Sequence, residues 1–156
     1  MDKIIGIGDY VISDDPEDLI KTFALSSCVA VTAYNPFLHL AGMIHIALPN
    51  PADPEDAQRR PGYYASSGLP ILINKLCGKY GSQRKDLQVK IFGGANSLRT
   101  NDYFKIGAKN IKAVREILLS MNLEIVDAHI GGVISRSITM GVLTGKIKIV
   151  VLPINF

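Results

Sequence analysis

The sequence predicts an α+β fold in which mixed β-sheets pack as a sandwich with helices on one face. Strand-like runs outnumber helical ones by about three to one and several are consecutive, which favours stacked sheets over a regular βαβ alternation. Two segments carry a clear helical period. The composition, 47% hydrophobic and 20% charged over 156 residues, suits a chain that buries a real core, read here as one domain spanning 1–156.

From the N-terminus, Ile5, Ile7, Tyr10 and Ile12 alternate weakly and run into the turn-forming cluster SDDPED, predicting one short strand and a loop. LIKTFALSSC and VAVTAY, rich in β-branched residues, are broken around Ala24–Ser27 and closed by Asn35-Pro36. LAGMIHIAL (40–48) is a further strand stopped by Pro49, giving a strand pair joined by the turn NPFLH. Residues 49–62 hold four prolines and five charges without periodicity and are read as one long loop. Leu69, Leu72, Ile73, Leu76 and Tyr80 share one face of a helix expected over 64–80. Pro70 is placed near that helix's start, and Gly81 marks its stop. A second helix, about 107–121, aligns Ile111, Val114, Ile117, Leu118 and Met121 opposite a solvated face of Lys109, Lys112, Arg115 and Glu116. Strands are expected at 87–95, 123–132, 137–143 and 146–154, the last two joined at Thr144-Gly145. No internal repeat or low-complexity segment occurs.

The charge balance excludes some functions. Seventeen basic and fourteen acidic residues give a net charge of +3, dispersed along the chain. A nucleic-acid binder should show a basic stripe or a known motif, and neither is found. Apolar runs fall far short of the ~20 residues that cross a bilayer. The start, MDKIIGIGDY, lacks the apolar core of a secretory signal. The expectation is a cytoplasmic protein without membrane insertion, in which Cys28 and Cys77 are free thiols.

Cys28 and His45 stand out as a pair on neighbouring strands. A Cys–His dyad needs the imidazole within hydrogen-bond reach of the thiol, and antiparallel neighbours can supply that reach. Pattern alone still favours packing, because a buried free Cys and a satisfied core His are both common. Cys77, on the first helix, is read as core; His39 falls in the NPFLH turn, and His129 could face either side of its strand. Two cysteines and three histidines without close spacing give no zinc pattern, so neither metal nor cofactor is expected. GIG (6–8) and FGGA (92–95) complete no phosphate-binding motif and are read as bulges or close backbone approaches.

Six ordered segments then bear on identity. They are T-x5-C-V-A-V (Thr22, Cys28 to Val31), G-M-x-H-x-x-L-P (Gly42 to Pro49), Y-x7-L from Tyr64, K-x-F-G-G-A (Lys90 to Ala95), I-G-x-x-N (Ile106 to Asn110) and G-G-x-x-x-R-S (Gly131 to Ser137). Together they resemble the CheD family, chemoreceptor glutamine deamidases of bacterial and archaeal chemotaxis, over about Ile4 to Val151. The resemblance implies a cysteine-hydrolase fold related to toxins that deamidate Rho GTPases, with Cys28, His45 and Thr22 as catalytic residues. It implies chemoreceptor cytoplasmic domains as substrates and a CheC-type phosphatase as partner. A non-catalytic or weakly catalytic regulator of that phosphatase is the alternative. Where relatives carry glycines two and four residues before the Cys, this chain has Ser26 and Ala24. Ser97 and Ser135 depart from the family pattern as well. A positive φ at Ser26 would be costly.

On that reading Cys28 attacks a glutamine carboxamide, His45 moves the protons, and backbone N–H groups near Ser27 and Cys28 hold the oxyanion. Six residues of straight strand span roughly 20 Å. The chain must therefore bend at Ala24–Ser27 for Thr22 to orient His45. Arg59 and Arg60, in the 49–62 loop, are a candidate docking rim.

Overall fold

The computed structural model describes residues 1–96 and 105–154; the departure at Ser97 lies outside them. The element order is β1 (Asp2–Ile4), β2 (Tyr10–Ser13), β3 (Leu19–Leu25), β4 (Val29–Asn35), β5 (Leu40–Ile46), α1 (Pro54–Arg59), α2 (Ala65–Cys77), β6 (Gln88–Gly93), α3 (Ile106–Ser120), β7 (Ile125–Ile130), β8 (Ile134–Gly141) and β9 (Ile147–Pro153). One sheet has the strand order β1-β3-β8-β9 and the other β2-β5-β4-β6-β7. Both are mixed: β1 runs parallel to β3 and β6 parallel to β7, while the other pairs are antiparallel.

Alternation along β4 and β5 explains the layering. Val29, Val31, Ala33, Leu40, Ile44 and Ile46 meet Leu69, Leu72, Ile73 and Leu76 of α2 and Val114 and Leu118 of α3. The intervening Ala30, Tyr34, Ala41 and Met43 face Ile20, Leu25, Ile138 and Met140 of the four-stranded sheet. A strand buried on both faces reads as a continuous apolar run, and every residue of β4 and β5 is buried. The layers are thus sheet, sheet, helices, as the sequence predicts.

Four local readings change. The single strand expected before residue 18 is two strands in different sheets. The 49–62 loop contains α1, whose N-cap Asp53 accepts from Glu55 N with Pro54 in the first turn. That is an N-terminal signature within a stretch read only for its prolines. α2 starts at Ala65 and keeps Pro70 inside it; the apolar face that buries Leu69 to Leu76 outweighs the lost backbone bond. β8 begins at Ile134, ahead of the expected 137.

Candidate active site

β3 and β4 lie in different sheets, so the chain crosses the sandwich between Leu25 and Val29, with Cys28 at the end of the crossing. The crossing is prepared by a β-bulge. Thr22 pairs with Ile138 and Leu25 with Arg136, so three steps on β3 oppose two on β8. The extra residue resets the alternation: Ile20, Thr22 and Leu25 all point inward, while Phe23 and Ala24 face solvent. Ala24 takes the left-handed conformation with φ 56°, and its N–H donates to Ser137 Oγ at 3.0 Å. The strained position is therefore Ala24; Ser26 is not among the positive-φ residues.

Thr22, fully buried, reaches across the sheet gap to His45, which is 3% exposed. Its Oγ1 lies 2.7 Å from His45 Nδ1 and donates to the Ile5 carbonyl at 2.9 Å. A hydroxyl has one hydrogen, and the carbonyl can only accept. The Thr22 hydrogen is thus committed to Ile5, and Nδ1–H is the donor to Thr22. That leaves Nε2 as the lone-pair nitrogen, buried and without a hydrogen-bond partner among the described residues. Burial lowers the imidazole to about 4 against a smaller upward pull from Asp9, so the ring is neutral at pH 7.

His45 is paired with Ala30 across the β4–β5 ladder. Cys28, two residues before Ala30, packs against the same inter-sheet cluster, making Cys28 and His45 diagonal cross-strand neighbours. The thiol is free and half-buried, and burial pushes its pKa up. The pair is therefore a neutral thiol and a neutral imidazole.

The backbone leading into Cys28 is held at three successive carbonyls. Ala95 N donates to Ser26 O at 2.7 Å, Gly94 N to Cys28 O at 2.9 Å, and Asn110 Nδ2 to Ser27 O at 2.9 Å. The N–H groups of Ser27 and Cys28 donate to nothing among the described residues. Two glycines permit this close packing. Gly93 has φ 105° and a Cβ there would sit 2.2 Å from Cys28 O; a Cβ on Gly107 would sit 2.2 Å from Ala95 O.

The other candidates fall elsewhere. Cys77 packs in the helix-side core. His39 is exposed in the turn and bonds Leu143 O. His129 is exposed, and its Nδ1 accepts from the buried Arg136 at 2.7 Å. Arg59 and Arg60 share the single carboxylate of Asp56, which compensates one of their two charges. Among the described residues no group of three or more His, Cys, Asp or Glu could hold a metal, and no helix is long and apolar enough to cross a membrane. In the sequence Asn110 stands out only as the last residue of the I-G-x-x-N segment. Its signal was a polar residue at a core position of α3, in step with Val114 and Leu118.

A neutral imidazole of fixed tautomer on the face that holds a free thiol, set between the sheets of an α+β sandwich, has the parts from which a thiol–imidazole hydrolase site can be built. Comparison with known proteins narrows this. The family model described as CheD chemotactic sensory transduction matches residues 47–150. A probable chemoreceptor glutamine deamidase CheD of Syntrophotalea carbinolica is 40% identical over 95% of this chain and 93% of its own length. The chemoreceptor glutamine deamidase CheD of Thermotoga maritima is 34% identical over 96% of this chain and 91% of its own. The chain belongs to the CheD family. Among solved structures, the Bacillus licheniformis hypothetical protein YfiH superposes with a TM-score of 0.53 at 14% identity. That match covers 80% of this chain and about half (49%) of YfiH, and shows a shared fold.

Proposed function

We propose that the protein deamidates glutamine side chains of chemoreceptor cytoplasmic domains, with Cys28 as nucleophile, His45 as the proton carrier and Thr22 as the residue that orients it. The observation that carries this reading is His45 Nε2: a buried lone pair without a partner, on the face that holds the free thiol. The names of the relatives supply the substrate class.

In the first half-reaction Cys28 Sγ attacks the carboxamide carbon as its proton passes to Nε2. The oxygen gathers negative charge, and the unused N–H groups of Ser27 and Cys28 are its donors. The C–N bond then breaks, the nitrogen takes the proton from Nε2, and ammonia leaves a thioester. In the second half-reaction water attacks the thioester, gives a proton to Nε2, and the thiol departs with that proton, leaving glutamate. No cofactor enters the balance. A half-buried thiol suits a substrate presented on another protein's surface.

The test is to incubate the protein with chemoreceptor cytoplasmic fragments and map glutamine-to-glutamate conversion by peptide mass spectrometry. Wild type should convert specific glutamines and Cys28→Ala none. Absence of conversion by wild type, or undiminished conversion by Cys28→Ala, sinks the proposal.

A further inference from the structure

We infer that Asn110 is a positioning residue of this site, acting through the peptide that joins Ser27 to Cys28. The inference rests on the deamidase reading. Asn110 is fully buried in α3. Its Nδ2 spends both hydrogens on backbone carbonyls, Ser27 O at 2.9 Å and Ala47 O at 2.9 Å. Ser27 precedes the nucleophile, and Ala47 lies two residues beyond His45.

The β4–β5 ladder ends at Val29 and Ile46. Ser27 and Ala47 lie just past that last rung, and the Asn110 amide ties the two strand ends where no ladder pair does. Its base is firm, because the N-terminal turn of α3 presses Gly107 onto the Gly94–Ala95 backbone. That backbone in turn holds Ser26 O and Cys28 O.

The amide is a poor choice for packing alone. Its Oδ1 is buried with no hydrogen-bond partner among the described residues, and a leucine or methionine on this helix face would avoid that desolvation cost. What an apolar residue cannot do is hold the Ser27 carbonyl. In a planar trans peptide the C=O and the following N–H point in opposite directions. Fixing Ser27 O toward α3 therefore aims Cys28 N–H away from it, and that N–H is the oxyanion donor of the proposed mechanism. Asn110 sets the direction of a group it never touches, and it does not contact substrate.

The experiment separates two chemistries of the same thiol. Deamidation develops an oxyanion, whereas alkylation of Cys28 by iodoacetamide does not. In Asn110→Ala, kcat for a chemoreceptor cytoplasmic fragment should fall about 30-fold or more with KM within about threefold. The iodoacetamide rate should stay within about twofold of wild type. Asn110→Asp, which keeps the shape but cannot donate to either carbonyl as a carboxylate, should behave the same way. Leu118→Ala, a cavity in the same helix, should lower the melting temperature yet leave kcat within about twofold. The inference is overturned if both Asn110 variants keep kcat within about threefold, if deamidation and alkylation fall together, or if neither variant folds. A wild type that converts no receptor glutamine to glutamate would instead refute the deamidase reading, so the two failures are distinguishable.

Discussion

Thr22→Val is the sharpest perturbation of the candidate site, because it exchanges a hydroxyl for a methyl of similar size and leaves Cys28 and His45 in place. In the native protein Thr22 Oγ1 bridges His45 Nδ1 and Ile5 O at 2.7 and 2.9 Å. The substitution leaves a carbonyl and an imidazole N–H without partners in a buried setting. At about 1–3 kcal/mol for each unsatisfied group, and with some relaxation of the ring, stability should fall by about 2–4 kcal/mol. The larger effect is on chemistry. Without an acceptor at Nδ1 the ring is free to carry its proton on Nε2, and that tautomer cannot take the thiol proton. General-base assistance is worth about 10²–10⁴-fold, so kcat should drop by about 10² or more with KM nearly unchanged. Ammonia release from a glutamine-bearing receptor fragment measures this, beside thermal unfolding of the same variant. Thr22→Ser, which restores the hydroxyl, should recover most of the rate. A Thr22→Val protein that is folded and within about threefold of wild-type kcat would refute the orienting role and the tautomer assignment with it.

Two further outcomes follow from the site's surroundings. Ala24 holds a left-handed φ of 56° at an exposed bulge, so Ala24→Gly should stabilise the protein by about 1 kcal/mol in chemical denaturation; a destabilised variant would show that the bulge is not strained. His45 titrates at about 4 folded against 6.5 as its ordinary value. The unfolded chain therefore binds the extra proton first as pH falls. Stability should be full above 6.5 and decline through the window from 6.5 to about 4, by up to about 3 kcal/mol. His45→Gln should flatten that segment of the pH–stability curve, and an unchanged slope would contradict the buried neutral imidazole.

The layers and most elements were legible in the sequence because hydrophobic period is local. The continuous apolar run at 40–48 points to a strand buried on both faces, and the spacing of Leu69, Leu72, Ile73 and Leu76 points to one helix face. What was not legible depends on which sheet a strand joins. The first eighteen residues contribute to both sheets, and nothing in Ile5, Ile7, Tyr10 and Ile12 separates the contributions. The bend between Thr22 and Cys28 was required by distance, yet its mechanism was hidden. Alanine does not advertise a left-handed φ, and the Ser137 hydroxyl that satisfies the bulge comes from 113 residues away. Cys28 and His45 could be paired from neighbouring strands, whereas the Asn110 contacts depend on how α3 docks, which spacing does not encode.

In the proposed mechanism the protonation states of Cys28 and His45 decide where catalytic effort must be concentrated. An imidazole held at about 4 is a strong acid once protonated, well suited to giving its proton to a departing amine, but a weak base toward a thiol. An ordinary thiol near 8.5, raised further here by burial, makes the thiolate–imidazolium pair at least about 6 kcal/mol uphill before mutual attraction is counted. A preformed ion pair is therefore scarce in the free protein. Proton transfer has to accompany C–S bond formation, at the moment when charge moves from sulfur to the carboxamide oxygen. Stabilising that oxygen is then the main means of lowering the barrier, and the groups available are the backbone N–H donors at Ser27 and Cys28. The two carbonyls behind them, Ser26 O and Ser27 O, are held by Ala95 N and Asn110 Nδ2: in a site with little thiolate to offer, the aim of these two peptide planes would govern the rate.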